Sequence, residues 1–176
     1  MNAPAVPVTG WCTFTVAGGL YGLDVTRVQE VLRQVPITRL PLAPPAVRGL
    51  INLRGRIVPA IDLRHVLGLA PSATGAAGGH LIVFDGASPV SLVVDSIGDV
   101  RHAAGAGLVP VPHTLTGPAR DLVAGAVPLP DELLFVLDLD RTLDRAFADP
   151  NALPQPGLVN RPGVTGRPPR PAGGTS

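Results

Sequence analysis

Four histidines, one cysteine, Ser91 and two matched aspartates are the residues best suited to do chemistry, and their spacing argues against most of it. His65, His80, His102 and His113 lack the short intervals of a zinc site, and Cys12 has no second cysteine to complete a Cys/His cluster. Cys12 lies in a β-prone run beside Trp11, where a small buried hydrophobe is expected rather than a nucleophile. Ser91, between Val90 and Leu92, has no Gly-x-Ser-x-Gly context. The stretches Gly75 to Gly79 and Gly105 to Gly107 lack the Lys and Ser/Thr of a phosphate loop. Asp62 and Asp138 could form a carboxylate pair, but each follows an apolar strand and precedes a Leu-rich turn. Capping of a helix explains both with one mechanism. With no nucleophile, base and oxyanion donor to assemble, no enzyme, metal or cofactor is expected.

Binding chemistry is easier to place. Arg54 stands beside Gly55 in a turn between two apolar strands, and groups displayed on such turns are where recognition concentrates. Glu30 lies between apolar residues, where strand alternation alone would face it to water.

The elements that position these residues are set by an internal repeat. Gly49 through Leu63 returns without a gap as Gly125 through Leu139, a shift of 76. Upstream, Val28-Gln29-Glu30-Val31 returns as Ile97-Gly98-Asp99-Val100, a shift of 69; the seven-residue difference fits a longer second loop over Ala103 to Pro112. Glu30 thus has an acidic mate in Asp99, whereas the mate of Arg54 is Pro130. One unit of roughly 60 residues used twice reads as a duplicated barrel or sandwich. Strands are expected over Trp11–Ala17 and Leu20–Val25 around Gly18-Gly19, then Arg27–Leu32, Gly49–Leu53 and Arg56–Ile61. In the second copy they are expected over Leu81–Phe84, Val90–Val94, Leu122–Leu129 and Leu133–Leu137. Short helices are expected over Leu63–Leu69 and from Asp138 through Phe147, whose Leu139, Leu143 and Phe147 share one face. The expected fold is mainly β: two small linked barrels, with a domain over 9–149, lobes near 9–70 and 80–149, and a disordered Pro/Gly/Arg-rich tail over 150–176.

Composition narrows the partners. The chain has 176 residues, 45% hydrophobic, enough for a core. Only 3% are aromatic, so stacking platforms for single-stranded nucleic acid have little to draw on. Fourteen arginines, no lysine and thirteen acids leave +1, too balanced for a polyanion partner. A lone cysteine suits a reducing compartment. There is neither a signal-peptide pattern at the N-terminus nor a stretch approaching the roughly 20 apolar residues of a membrane span, so a cytoplasmic protein without membrane insertion is expected.

Val28-Gln29-Glu30-Val31, the block from Val47 through Leu63 with its central Asn52-Leu53-Arg54-Gly55, Val93 through Ile97, and Phe135 through Leu139 together resemble the CheW family of bacterial chemotaxis coupling proteins. The resemblance covers about residues 11 to 146. It implies two SH3-like β-barrels packed together and a non-enzymatic adaptor. Its implied partners are the cytoplasmic tip of methyl-accepting chemoreceptors and the regulatory domain of a CheA-type histidine kinase, in membrane-associated receptor arrays. By motif position, the implied receptor-binding residues are Val28, Glu30, Arg54, Ile97, Asp99 and Val100, with Gly49 and Gly55 permitting the tight course around Arg54. Val31 would join the apolar strip. Ser91, where the family commonly has Gly, and Pro128 and Pro130 near the second hairpin are departures. The alternatives are a coupling protein of a chemosensory array with non-flagellar output and, from another class, a double barrel binding a small ligand or nucleic acid.

Overall fold

The computed structural model describes residues 10–74, 78–102 and 107–148; the expected tail over 150–176 lies outside them. The first hairpin is β1 (Gly10–Val16) and β2 (Gly19–Asp24), turning at Ala17 and Gly18, both left-handed. After a single 3-10 turn, Val25–Arg27, come β3 (Val28–Leu32), β4 (Val47–Leu53), β5 (Arg56–Asp62) and the short helix α1 (Leu63–Val66). The second copy supplies β6 (Gly79–Asp85), β7 (Ser88–Val94), β8 (Ser96–His102), α2 (Pro118–Leu122), β9 (Val123–Pro128), β10 (Leu133–Leu137) and α3 (Leu139–Ala146). The mainly β architecture and the duplication stand as expected. Helix α1 is shorter than Leu63–Leu69, and Leu122 closes a helix that the apolar run Leu122–Leu129 did not reveal.

The division of the chain into sequential lobes does not hold. One sheet has the order β3-β6-β7-β5-β4 and the other β8-β1-β2-β10-β9. Each therefore takes its hairpin from one repeat and three strands from the other. The registers obey the repeat shifts: Val28 faces Val83 and Ile97 faces Phe14, while Ile61 meets Leu92 and Val136 meets Gly22 in parallel pairs. A local pattern specifies which face of a strand is buried, but not which distant strand it joins. We call the β3–β7 unit the first barrel and the other the second.

Three clusters follow from this exchange. Ile51, Val58, Ala60, Ile82 and Val93 fill the first barrel, and Trp11, Val127, Leu134 and Val136 the second. The largest cluster, including Phe14, Tyr21, Leu23, Ile61, Leu63, Leu81 and Leu92, packs the barrels and helices together. The repeated aspartates are caps. Asp62 accepts from the backbone N–H of Arg64 (2.9 Å), and Asp138 from that of Arg141 (3.0 Å).

Gly49 requires a correction. It stands at the bulge near the start of β4, not in the Arg54 turn. With φ of 154°, a Cβ there would lie 2.3 Å from the Thr38 carbonyl oxygen, because Thr38 crosses to bridge Leu50. Its mate Gly125 is likewise backed by the segment whose Val109 bridges Ala126. The repeated glycine makes room for a crossing chain.

Candidate functional site

Arg54 and Gly55 form a two-residue hairpin loop with φ of 52° and 84°, so both central positions are left-handed. Such turns match the twist of antiparallel strands, and glycine or asparagine normally fills their first position. Asn52 supports the loop by accepting from the Gly55 N–H at 2.8 Å. An arginine held there carries a backbone cost of about 1 kcal/mol or more. The Arg54 side chain is 79% exposed, and its Nη2 meets Glu30 Oε1 at 2.7 Å. Because β3 and the β4–β5 hairpin stand at opposite ends of the sheet order, this ion pair ties the edge strand to the far hairpin.

The other residues expected in the site lie along two edge strands. Val28 opens β3 half-buried, and its mate Ile97 is similarly half-buried on β8; both pack on the inter-barrel core. Val31 and its mate Val100 face outward, 39% and 46% exposed. Asp99 is exposed, its backbone carbonyl accepting from Thr13 Oγ1 at 2.6 Å. The two edges converge over Gly79, where a Cβ would lie 2.4 Å from the Ile97 side chain and 3.5 Å from the Leu32 carbonyl. Glu30 and Arg54 are in direct contact. Val28 shares β3 with Glu30, whereas Ile97, Asp99 and Val100 lie on β8 of the other sheet and make no hydrogen bond or ion pair with Glu30 or Arg54 among the described residues.

Ile57 is an addition, 63% exposed and opposite Asn52 in the ladder. The signal was present in β5: with Val58 and Ala60 turned inward, alternation turns Ile57 out. Two concavities exist elsewhere, one lined by Pro45, His65, Val66 and Arg145 among others, one by Arg39, Leu42, Arg48 and Asp62 among others. Neither is lined by Val28, Glu30, Arg54, Ile97, Asp99 or Val100.

Away from this strip, Cys12 is buried, and burial pushes its thiol pKa up, away from thiolate chemistry. Arg64 holds both carboxylate oxygens of Asp95, at 2.8 and 2.5 Å, an ion pair between residues 31 positions apart that no local pattern marks. Burial pushes Asp95 up, but the Arg64 guanidinium, the Ala17 N–H and Arg48 outweigh it, and its pKa lies below the usual carboxylate value. No helix among the described residues is long and apolar enough to cross a membrane.

Comparison with known proteins agrees with this architecture. The chain is 29% identical to the chemotaxis protein CheW of Klebsiella aerogenes over 130 residues, covering 74% of this chain and 78% of that one. It is 28% identical to the chemotaxis protein CheW of Treponema pallidum over 133 residues, covering 73% and 78%. Among solved structures it resembles the scaffolding protein TtCheW of Thermoanaerobacter tengcongensis, with a TM-score of 0.65 and 30% identity over 75% of this chain and 90% of that one. The CheW-like domain model matches residues 11–147, which span both exchanged barrels and every residue of the strip, and the chain belongs to that family.

Proposed function

We propose that this chain is a non-enzymatic chemotaxis scaffold that couples the cytoplasmic tip of methyl-accepting chemoreceptors to the regulatory domain of a CheA-type histidine kinase. It would act in the cytoplasm, recruited to membrane-associated receptor arrays. The observation that carries the reading is Arg54: exposed, in a left-handed turn position where glycine would be easier, and oriented by Glu30. Backbone strain retained at an exposed tip is a pointer to function.

A receptor tip is a bundle of helical hairpins, so its partner needs an apolar strip with a few orienting charges. Val31 and Val100 supply outward aliphatic surface on the facing edges. Val28 and Ile97, half-buried behind them, hold those edges to the core. Arg54 can exchange part of its exposed pairing with Glu30 for an acceptor on the receptor helix. Exposed ion pairs contribute about 0–1 kcal/mol, so little is lost in the exchange. Signalling then passes through rigid positioning, with no bond made or broken.

Co-sedimentation of the purified chain with receptor-tip fragments and with the kinase regulatory domain tests this. Binding to both partners at once is the expected result. Retention of neither, with the chain folded, would remove the coupling function.

A further inference from the structure

Strand β6 carries His80 on the same face as Ile82, inside the first barrel and fully buried. In the ladders it faces Leu32 of β3 and Val93 of β7. Nδ1 shares a 2.9 Å hydrogen bond with the Ser91 hydroxyl, while Nε2 has no hydrogen-bond partner among the described residues. The repeat shift of 69 takes His80 to Trp11 and Ser91 to Gly22. In the second barrel, a Cβ on Gly22 would lie 3.1 Å from the Leu134 side chain and 3.3 Å from the Trp11 Cβ, so glycine there makes room for both side chains. One interior position thus holds a ring that cannot titrate, seated on glycine, and in the other copy a ring that can, seated on serine.

A neutral imidazole has one N–H and one lone pair, and Ser91 can serve either at Nδ1. Protonation places an N–H on both nitrogens and a full charge in an apolar interior. The second N–H then has only the Val35 carbonyl nearby, to which no hydrogen bond is formed in the folded chain. The charged groups on the surrounding elements do not compensate. From β3, Glu30 is engaged with Arg54; from β4, Arg48 adds a positive charge that opposes protonation. Asp62 at the end of β5 caps α1, Asp95 beyond β7 is held by Arg64, and Asp85 lies at the opposite end of β6 from His80. The Val35 carbonyl favours the protonated ring by more than Arg48 opposes it, but less than burial disfavours it, and it makes no hydrogen bond to Nε2.

We propose that the His80–Ser91 pair makes the first barrel proton-sensitive: uptake of one proton by the imidazole loosens β3 from β6, while the second barrel, with Trp11 on Gly22, does not respond. Strand β3 carries Val28, Glu30 and Val31, so the loosened edge is the one that bears half of the candidate strip. The opening is a property of the free chain and does not depend on which partner the strip binds.

The direction follows from linkage. Burial holds the folded-state pKa of His80 below the ordinary histidine value; the Val35 carbonyl offsets part of this, and Arg48 lowers it by a smaller amount. Above about pH 6.5 the ring is neutral in both folded and unfolded chains, and its full contribution to stability is present. As pH falls below that value the unfolded chain takes up the proton first, and stability declines until the folded-state pKa is reached.

Amide hydrogen exchange on the full chain at pH 7.5 and pH 5.5, corrected for intrinsic rates, reads the two barrels separately. Between these two pH values protection in β3 and β6 should fall by up to about tenfold relative to β1 and β8, because the unfolded ring takes up its proton near pH 6.5. The double variant His80→Trp/Ser91→Gly copies the second barrel and should abolish the difference; His80→Gln tests the same point if the indole does not pack. Equal loss of protection in both barrels, or the same pH-dependent difference in wild type and His80→Gln, would overturn the proposal.

Discussion

The two barrels share a backbone and differ in what they do with it. Positions that serve the chain path are kept: Gly49 and Gly125 admit a crossing segment, and Asp62 and Asp138 cap the following helices. Positions at the tips and in the interiors are free to diverge. The β4–β5 hairpin presents Arg54-Gly55 with both residues left-handed; its mate, β9–β10, has Pro130-Asp131, and proline cannot take positive φ. The helix ties are charge-inverted. Arg64 of α1 holds Asp95 in one barrel, and in the other Asp140 of α3 is held by Arg27 at 2.7 Å. Duplication has preserved what the backbone demands and released what the surface displays.

The largest test of this comparison is whether the barrels stand alone. Phe14 is fully buried in the cluster that joins them, and truncation to alanine should cost about 3–5 kcal/mol. Because each sheet contains strands from both repeats, Phe14→Ala should lower one cooperative transition in calorimetry; two separated transitions would show that the barrels fold independently.

Gly49→Ala comes next, on the order of 3 kcal/mol, since the added Cβ meets backbone at 2.3 Å in a left-handed position. Gly125→Ala should cost less, because the nearest atom there is a Leu108 methyl that can move. Denaturant melts rank the two directly, and the reverse order would mean the crossings are not equivalent.

Asp95 should set part of the acid limit of the fold. Burial raises its pKa, but the pairing with Arg64 and the Ala17 N–H depress it further, so the folded value lies below the unfolded one. Its contribution is present above about pH 4 and is lost as pH falls through the folded-state value. Asp95→Asn should therefore be less stable near neutrality and show a flatter decline on acidification. A decline as steep as that of wild type would assign the acid limit to other carboxylates.

The smallest effects are expected at the caps. Asp62→Ala and Asp138→Ala should each cost about 1 kcal/mol, with partner binding intact in the folded fraction. Unchanged stability with abolished binding would move these aspartates from cap to contact.

Much of this was legible because it is local. The Gly18 turn, the Arg54-Gly55 turn and the capping aspartates announce themselves within a few residues. So does the alternation of β5, which points to Ile57. The exchange of hairpins between repeats was not legible, because the parallel pairing of β2 with β10 joins segments more than a hundred residues apart and leaves no local mark. Helix α2 was hidden by the apolar run that follows it, and Gly49 was misplaced because glycine at a bulge and glycine at a turn look alike in sequence. Within the strip, the Arg54 contact with Glu30 needed the closure of the first barrel to appear.

The proposed function requires that the β4–β5 hairpin, and not its repeat mate β9–β10, faces the receptor. Parallel titrations of a receptor-tip fragment and the kinase regulatory domain against wild type, Arg54→Glu and Asp131→Arg test it most directly. Arg54→Glu should lose about 2 kcal/mol of receptor binding, roughly thirtyfold in Kd, because the reversed charge repels the same acceptor. Its kinase affinity and melting curve should stay near wild type, and Asp131→Arg should leave receptor binding unchanged. Normal receptor binding by Arg54→Glu, or equal losses for both variants, would contradict the account.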